Sequence, residues 1–188
     1  MTVEVPDKFP RIRVLIVDDQ ALIRRGMALM LSVEPDMEVV GQACDGVEAV
    51  EMAQQLLPDV VLMDLHMPRK GGVAATREIT LSLPQTHVLV LTTLEAEETV
   101  FEAIRAGAHA YLLKDVTEDE LLETVRAVHR GESRLTPQIA RKVMEQFLRL
   151  GSVSEGLKLD VAAHSPASSP IQSVPPMTHA QDDMTEPL

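Results

Sequence analysis

Residues 14 to 26 read VLIVDDQALIRRG. A run of aliphatic residues stops at two adjacent aspartates, Asp18 and Asp19, and a second apolar stretch begins at Ala21. Two like charges at the edge of a core cost free energy unless something offsets them, so the pair marks either a helix start or a site.

Four further runs have the length of a strand: EVVGQA (38 to 43), VVLMD (60 to 64), VLVL (88 to 91) and AYLLK (110 to 114). They are continuous rather than alternating, the habit of strands covered on both faces of a parallel sheet. The stretches between them have helical character. In Ala21 to Ser32, the residues Leu22, Gly26, Leu29 and Val33 form one apolar stripe, with Arg24 and Arg25 elsewhere. Val47 to Leu57 follows Asp45 and Gly46 and stops before Pro58, and Val73 to Leu83 stops before Pro84. A fourth helix carries Val100 and Ile104, with Gly107 placed to cap its end. A fifth opens with a capping-box pattern at Thr117 to Glu120, ahead of Leu121, Val125 and Val128.

Five βα units joined by right-handed crossovers predict an α/β fold, a doubly wound five-stranded parallel sheet with helices on both faces. A sixth helix is expected from Thr136 to Leu150. Its Ile139, Val143, Phe147 and Leu150 form a stripe that either docks on the domain or meets a partner helix. The expected division is a flexible start (1–10), one domain (11–131), a C-terminal linker helix (132–150) and a Ser/Pro-rich acidic tail (151–188) that is disordered.

Composition narrows the function classes. The chain is 45% hydrophobic but only 2% aromatic, so its core is aliphatic and it lacks the stacking platforms of single-strand nucleic-acid binders. Its formal net charge is -12, and both the tail and the rest are acidic, which argues against direct contact with duplex DNA. The single cysteine, Cys44, excludes an internal disulfide, and no histidine stands at metal-ligand spacing from it. With no export signal and no apolar stretch of membrane-spanning length, the chain reads as soluble and cytoplasmic, with no membrane partner.

In an open parallel sheet, ligands bind beyond the carboxyl ends of the strands. The first run ends at Asp18 and Asp19, the third at Asp64, the fourth at Thr92 and Thr93, and the fifth at Lys114. Taken singly, each has an ordinary explanation as a helix cap, a turn residue or a solvated strand end. Taken together they describe a site. If the first and third strands are neighbours, three carboxylates converge, and each pair at ~4 Å repels by about 4 kcal/mol at an effective dielectric of about 20. A hard divalent cation, Mg²⁺, offsets that repulsion and leaves positions open for phosphate oxygens. Lys114 adds a point charge suited to a phosphoryl group, and Thr92 a hydroxyl. The parts fit phosphoryl transfer to a carboxylate.

With VDD, VVLMDLHMP, LTT and AYLLKD in order, residues 11 to 131 closely resemble the receiver domains of two-component response regulators, and among them the NarL/FixJ-type transcription regulators. The resemblance implies a flavodoxin-like (CheY-like) fold with strand order 2-1-3-4-5. It implies that Asp64 accepts a phosphoryl group from a sensor histidine kinase. Asp19 would bind Mg²⁺ directly, Asp18 through water, and His66 through its backbone carbonyl. Lys114 would pair with the phosphoryl group, Thr92 would turn its hydroxyl towards it, and Tyr111 would change rotamer with Thr92. The pair Lys114-Asp115 matches the NarL type. The loop MPRKGG departs from the family by placing Gly71 where an acidic cap is common, which should loosen the start of the third helix. The resemblance further implies a signalling domain rather than a turnover enzyme, a phosphorylation-dependent homodimer using the first and fifth helices, and DNA contact only through a C-terminal helix-turn-helix domain absent from this chain. Two other readings stand beside it: a stand-alone receiver acting on a protein partner, and a phosphatase of the haloacid-dehalogenase type. The second needs an acid two residues beyond the nucleophile, where this chain has His66.

Overall fold

The computed structural model describes residues 10–93, 97–135, 137, 139–141, 143–145 and 148. The expectations of a flexible start and a disordered tail fall, apart from Pro10, outside these residues. The elements are β1 (Ile12–Val17), α1 (Ala21–Ser32), β2 (Met37–Ala43), α2 (Gly46–Leu56), β3 (Val60–Asp64), α3 (Gly72–Ser82), β4 (His87–Thr92), α4 (Glu97–Arg105), β5 (Ala110–Leu113), α5 (Glu118–His129) and β6 (Arg134–Leu135).

Consecutive side chains of a strand point to opposite faces, and here both faces are covered. Leu15, Val17, Val61, Met63, Val88, Val90 and Tyr111 pack on one side with Ala49, Val50, Ile79, Val100 and Ala103 of α2, α3 and α4. Val14, Ile16, Val60, Leu62, Leu89, Leu91 and Leu112 pack on the other with Met27 and Leu31 of α1 and Leu121, Val125 and Val128 of α5. That division explains the unbroken apolar runs.

The strands are parallel in the order β2-β1-β3-β4-β5-β6. The first five follow the expected order, and the sixth strand is an addition. Ala110 pairs with Arg134 and Tyr111 with Leu135. A two-residue Arg-Leu strand carries no apolar run, so only its place beside β5 reveals it.

Local chemistry sets the helix ends. Asp45 accepts hydrogen bonds from the backbone N–H groups of Val47 (2.7 Å) and Glu48 (3.1 Å), while the Glu48 carboxylate accepts from the Cys44 N–H at 2.7 Å. Thr117 accepts from the Glu120 N–H at 3.3 Å. After α4, Gly107 (φ 96) donates to the Ile104 carbonyl and Ala108 to that of Ala103, a Schellman closure. Gly71 begins α3 with no side-chain cap, in keeping with the missing acid.

The rotation of α1 corrects the sequence reading. Leu22, Leu29 and Val33 are 82%, 69% and 68% exposed, and the buried residues are Met27 and Leu31. The helix is apolar on most sides, so its pattern does not choose a face. Arg24, on the side of Met27 and Leu31, helps to choose by donating to the Asp18 carbonyl at 2.6 Å.

Beyond β6, the described residues from 137 to 148 are helical. Ile139 is 1% exposed and belongs to the core layer containing Tyr111, with Val143 packed against it. This part of the expected stripe therefore docks on its own domain; Phe147 and Leu150 lie outside the described residues. Ile139→Ala should lower stability by roughly 2–5 kcal/mol, whereas Met144→Ala, at a position 62% exposed, should stay within about 0.5 kcal/mol of the parent. Urea unfolding checks both, and equal effects would contradict the docking.

Candidate functional site

β1 and β3 are neighbours in the sheet, and the chain leaves them towards opposite faces, α1 to one layer and α3 to the other. A crevice opens at such a divergence. Asp18 and Asp19 enter it from the end of β1, Asp64 from the end of β3 and Lys114 from the end of β5. One carboxylate oxygen from each of Asp18, Asp19 and Asp64 can be chosen so that all lie within 4.8 Å of one another. Asp18 and Asp64 are buried, and Asp19 is exposed.

The local chain holds these carboxylates in place. Asp18 Oδ1 accepts from the Gln20 N–H at 2.8 Å, ahead of α1, whose N-cap is Gln20 and which neither aspartate caps. Its Oδ2 is buried without an aligned hydrogen bond and faces Lys114 Nζ at 2.7 Å. Asp64 Oδ1 accepts from the Leu65 N–H at 2.9 Å and lies 3.2 Å from Lys114 Nζ. Lys114 is fixed in turn by its own N–H, which donates to the Thr92 carbonyl at 2.9 Å.

Two buried acids, Asp18 and Asp64, therefore share one ammonium, with the exposed Asp19 beside them. Burial pushes the Asp64 carboxyl above the usual carboxylate range; Lys114 opposes that rise and the Asp18 charge adds to it. Burial also works against the charge on Lys114, but the hydrogen bonding and charge of Asp18 and Asp64 outweigh it and hold the ammonium above its ordinary value. Three carboxylates offering oxygens within 4.8 Å of one another, with one ammonium among them, fit a hard divalent cation.

Thr92, 2% exposed, lines a cleft of about 150 Å³ with Thr93, Leu113, Lys114 and Asp115. Its hydroxyl donates to the Thr93 carbonyl at 3.2 Å. Tyr111 is 1% exposed, and burial, partly offset by a hydrogen bond with Thr92, pushes its phenol up to about 12. The His66 side chain is exposed, and its backbone hydrogen bond to the Asp64 carboxylate favours the charged form of that acid. Asp18, Asp19, Asp64 and Lys114 thus meet at one crevice with Thr92 beside Lys114, while Tyr111 is buried in the core layer.

Two contacts escaped sequence reasoning. Arg24 holds the Asp18 carbonyl from the side of α1 that carries Met27 and Leu31, a side the sequence pattern did not single out. Asp45, wholly buried, pairs with Arg69 of the loop after β3, a contact between distant segments that no local pattern announces.

The raised Asp64 pKa makes a pH-dependent prediction. Its contribution to stability is fully present below the unfolded carboxyl value near ~4 and is lost as pH rises through the raised folded value. Asp64→Asn should therefore melt higher than the parent near neutral pH in cation-free buffer, with the gain shrinking towards about pH 4. Calorimetry across that range tests this, and a lower Tm for the variant at neutral pH contradicts it.

The comparisons with known proteins agree with this geometry. The family model described as "Response regulator receiver domain" matches residues 14–126. The chain is 44% identical over 139 residues to "Uncharacterized transcriptional regulatory protein YxjL" of Bacillus subtilis, covering 74% of this chain and 64% of that protein. It is 41% identical over 140 residues to "Transcriptional regulatory protein LiaR" of the same organism, covering 74% and 66%. It spans just under two thirds of the length of both. Among solved structures, the receiver domain of the putative response regulator NarL from Mycobacterium tuberculosis superposes with a TM-score of 0.63 at 34% identity, covering 66% of this chain and all of that one. The chain belongs to the response regulator receiver family, and its curated relatives are transcriptional regulators of that family.

Proposed function

We propose that Asp64 accepts a phosphoryl group from a sensor histidine kinase and that this charge switches a transcription regulator. The observation that supports the reading most directly is the clustering of Asp18, Asp19 and Asp64, two of them paired with Lys114, at the carboxyl edge of a receiver fold.

An Asp64 carboxylate oxygen attacks phosphorus as the bond to the donor imidazole breaks; the imidazole leaves and is reprotonated from water. Asp18, Asp19, Asp64 and the His66 carbonyl would hold Mg²⁺, which when bound supplies positive charge beside the carboxylates and the phosphoryl oxygens. Lys114 exchanges its contact with Asp64 Oδ1 for the new phosphoryl oxygens. Thr92 gives up the Thr93 carbonyl to donate to the same group, and its hydrogen bond with Tyr111 carries that movement into the layer below α4. The modification adds a charge of about -1.5 to -2 to a crevice already rich in acids, so a rearrangement is required rather than a passive fit. Hydrolysis of the acyl phosphate resets the domain, which acts as a signalling element and not as a turnover enzyme.

The names of the relatives support a transcriptional output, delivered to DNA by a helix-turn-helix domain of the longer regulator. We place the protein in the cytoplasm, where such a regulator meets both kinase and DNA; among the described residues no helix is long and apolar enough to cross a membrane. A phosphorylation-dependent homodimer would find an apolar surface in the exposed Leu22, Leu29 and Val33 of α1.

Acetyl phosphate with Mg²⁺ should label the protein at a single carboxyl, and Asp64→Asn should remove the label while the fold persists. Intact-mass measurement reads both, and undiminished labelling of the variant would overturn the assignment of Asp64.

A further inference from the structure

The loop from Leu65 to Gly71 leaves the end of β3 and carries His66, yet no side chain caps the helix at its far end. Its shape is imposed from elsewhere. The Asp45 carboxylate is wholly buried, with Oδ1 accepting from the Val47 and Glu48 N–H groups and Oδ2 meeting the Arg69 guanidinium. Arg69 also lies 3.9 Å from the Cys44 sulfur and has a backbone φ of 63, a left-handed conformation that a residue with a side chain adopts only when its surroundings favour it. One residue on, the Lys70 carbonyl accepts from the Gly46 N–H at 3.0 Å. The contact is close enough that a Cβ at Gly46 would stand 2.5 Å from that carbonyl. Lys70 Nζ pairs with Glu78 of α3, and the Gly72 N–H donates to the Leu65 carbonyl at 3.1 Å, closing the base of the loop.

We propose that Arg69 and Asp45 form a positioning clamp that ties the β3–α3 loop to the start of α2 and thereby sets the affinity of the Asp18, Asp19 and Asp64 crevice for a divalent cation. This rests on the functional reading above, in which the His66 carbonyl is one of the cation's ligands. Arg69 does not touch the cation; it acts through the loop. The clamp also accounts for how MPRKGG works without the acidic cap, since Arg69 reaches Asp45 at the start of α2 while Lys70 reaches Glu78 of α3. Removing Arg69 should leave the fold intact. Its side chain is 63% exposed, and Asp45 retains both backbone donors that cap α2.

The test is Mg²⁺ titration of the whole chain, followed by the amide shifts of Asp19 and Leu65, for the parent, Arg69→Ala, Arg69→Gly and Arg69→Lys, with Tm measured in cation-free buffer. Glycine relieves the left-handed backbone and alanine does not, so the pair separates conformation from charge. The clamp predicts that both weaken Mg²⁺ binding by about 10-fold at nearly unchanged Tm, and that lysine recovers part of the loss. Unchanged affinity in both variants, normal affinity in Arg69→Gly alone, or a loss that merely follows a fallen Tm would overturn the clamp. Failure of the parent itself to bind Mg²⁺ would overturn the functional reading together with the clamp.

Discussion

Like charge confined at the carboxyl edge of the sheet is the constraint on which the rest of the molecule depends. Asp18, Asp19 and Asp64 are brought within a few ångströms of one another, and the two buried ones, Asp18 and Asp64, share the Lys114 ammonium. Repulsion of about 4 kcal/mol per close pair would push flexible side chains apart. They stay because rigid elements deliver them. β1 and β3 are central strands covered on both faces, the Gln20 N–H and the Arg24 guanidinium hold Asp18, and the Leu65 N–H holds Asp64.

The same geometry joins the crevice to the far side of the sheet. β5 ends beside Lys114 and also carries Tyr111, whose partner in the next strand is Leu135. Tyr111 lies in the buried layer that contains Ile139. Thus one strand connects the acidic crevice with the helical residues that follow β6 and pack on the domain. Thr92 and Lys114, joined by a hydrogen bond from the Lys114 N–H to the Thr92 carbonyl, bring the ends of β4 and β5 to one cleft.

Much of this was legible in the sequence because it rests on local chemistry. Runs buried on both faces are continuously apolar, and the residues ending them fall on one edge by topology alone. The bounds of α1, the Gly107 closure and the Thr117 cap follow from short-range rules. Contacts between distant segments stayed hidden. The helix α1 is apolar at Leu22 and Leu29 as well as at Met27 and Leu31, so the sheet and Arg24 determine which side is buried. β6 exists because β5 has a free edge, and Arg134–Leu135 has no strand signature of its own. The Asp45 to Arg69 pair joins residues on separate loops. Of the site, residue types and edge were readable; the sharing of Lys114 between Asp18 and Asp64, and the buried Asp18 oxygen facing it, required the fold.

We infer that the three crowded carboxylates form a binding site for a divalent cation. Calorimetric titration of the parent chain with Mg²⁺, repeated on Asp19→Asn, tests it most directly. The account predicts one saturable site in the parent and a large loss of affinity in the variant. A parent with no saturable binding, or a variant that binds as tightly as the parent, would contradict it.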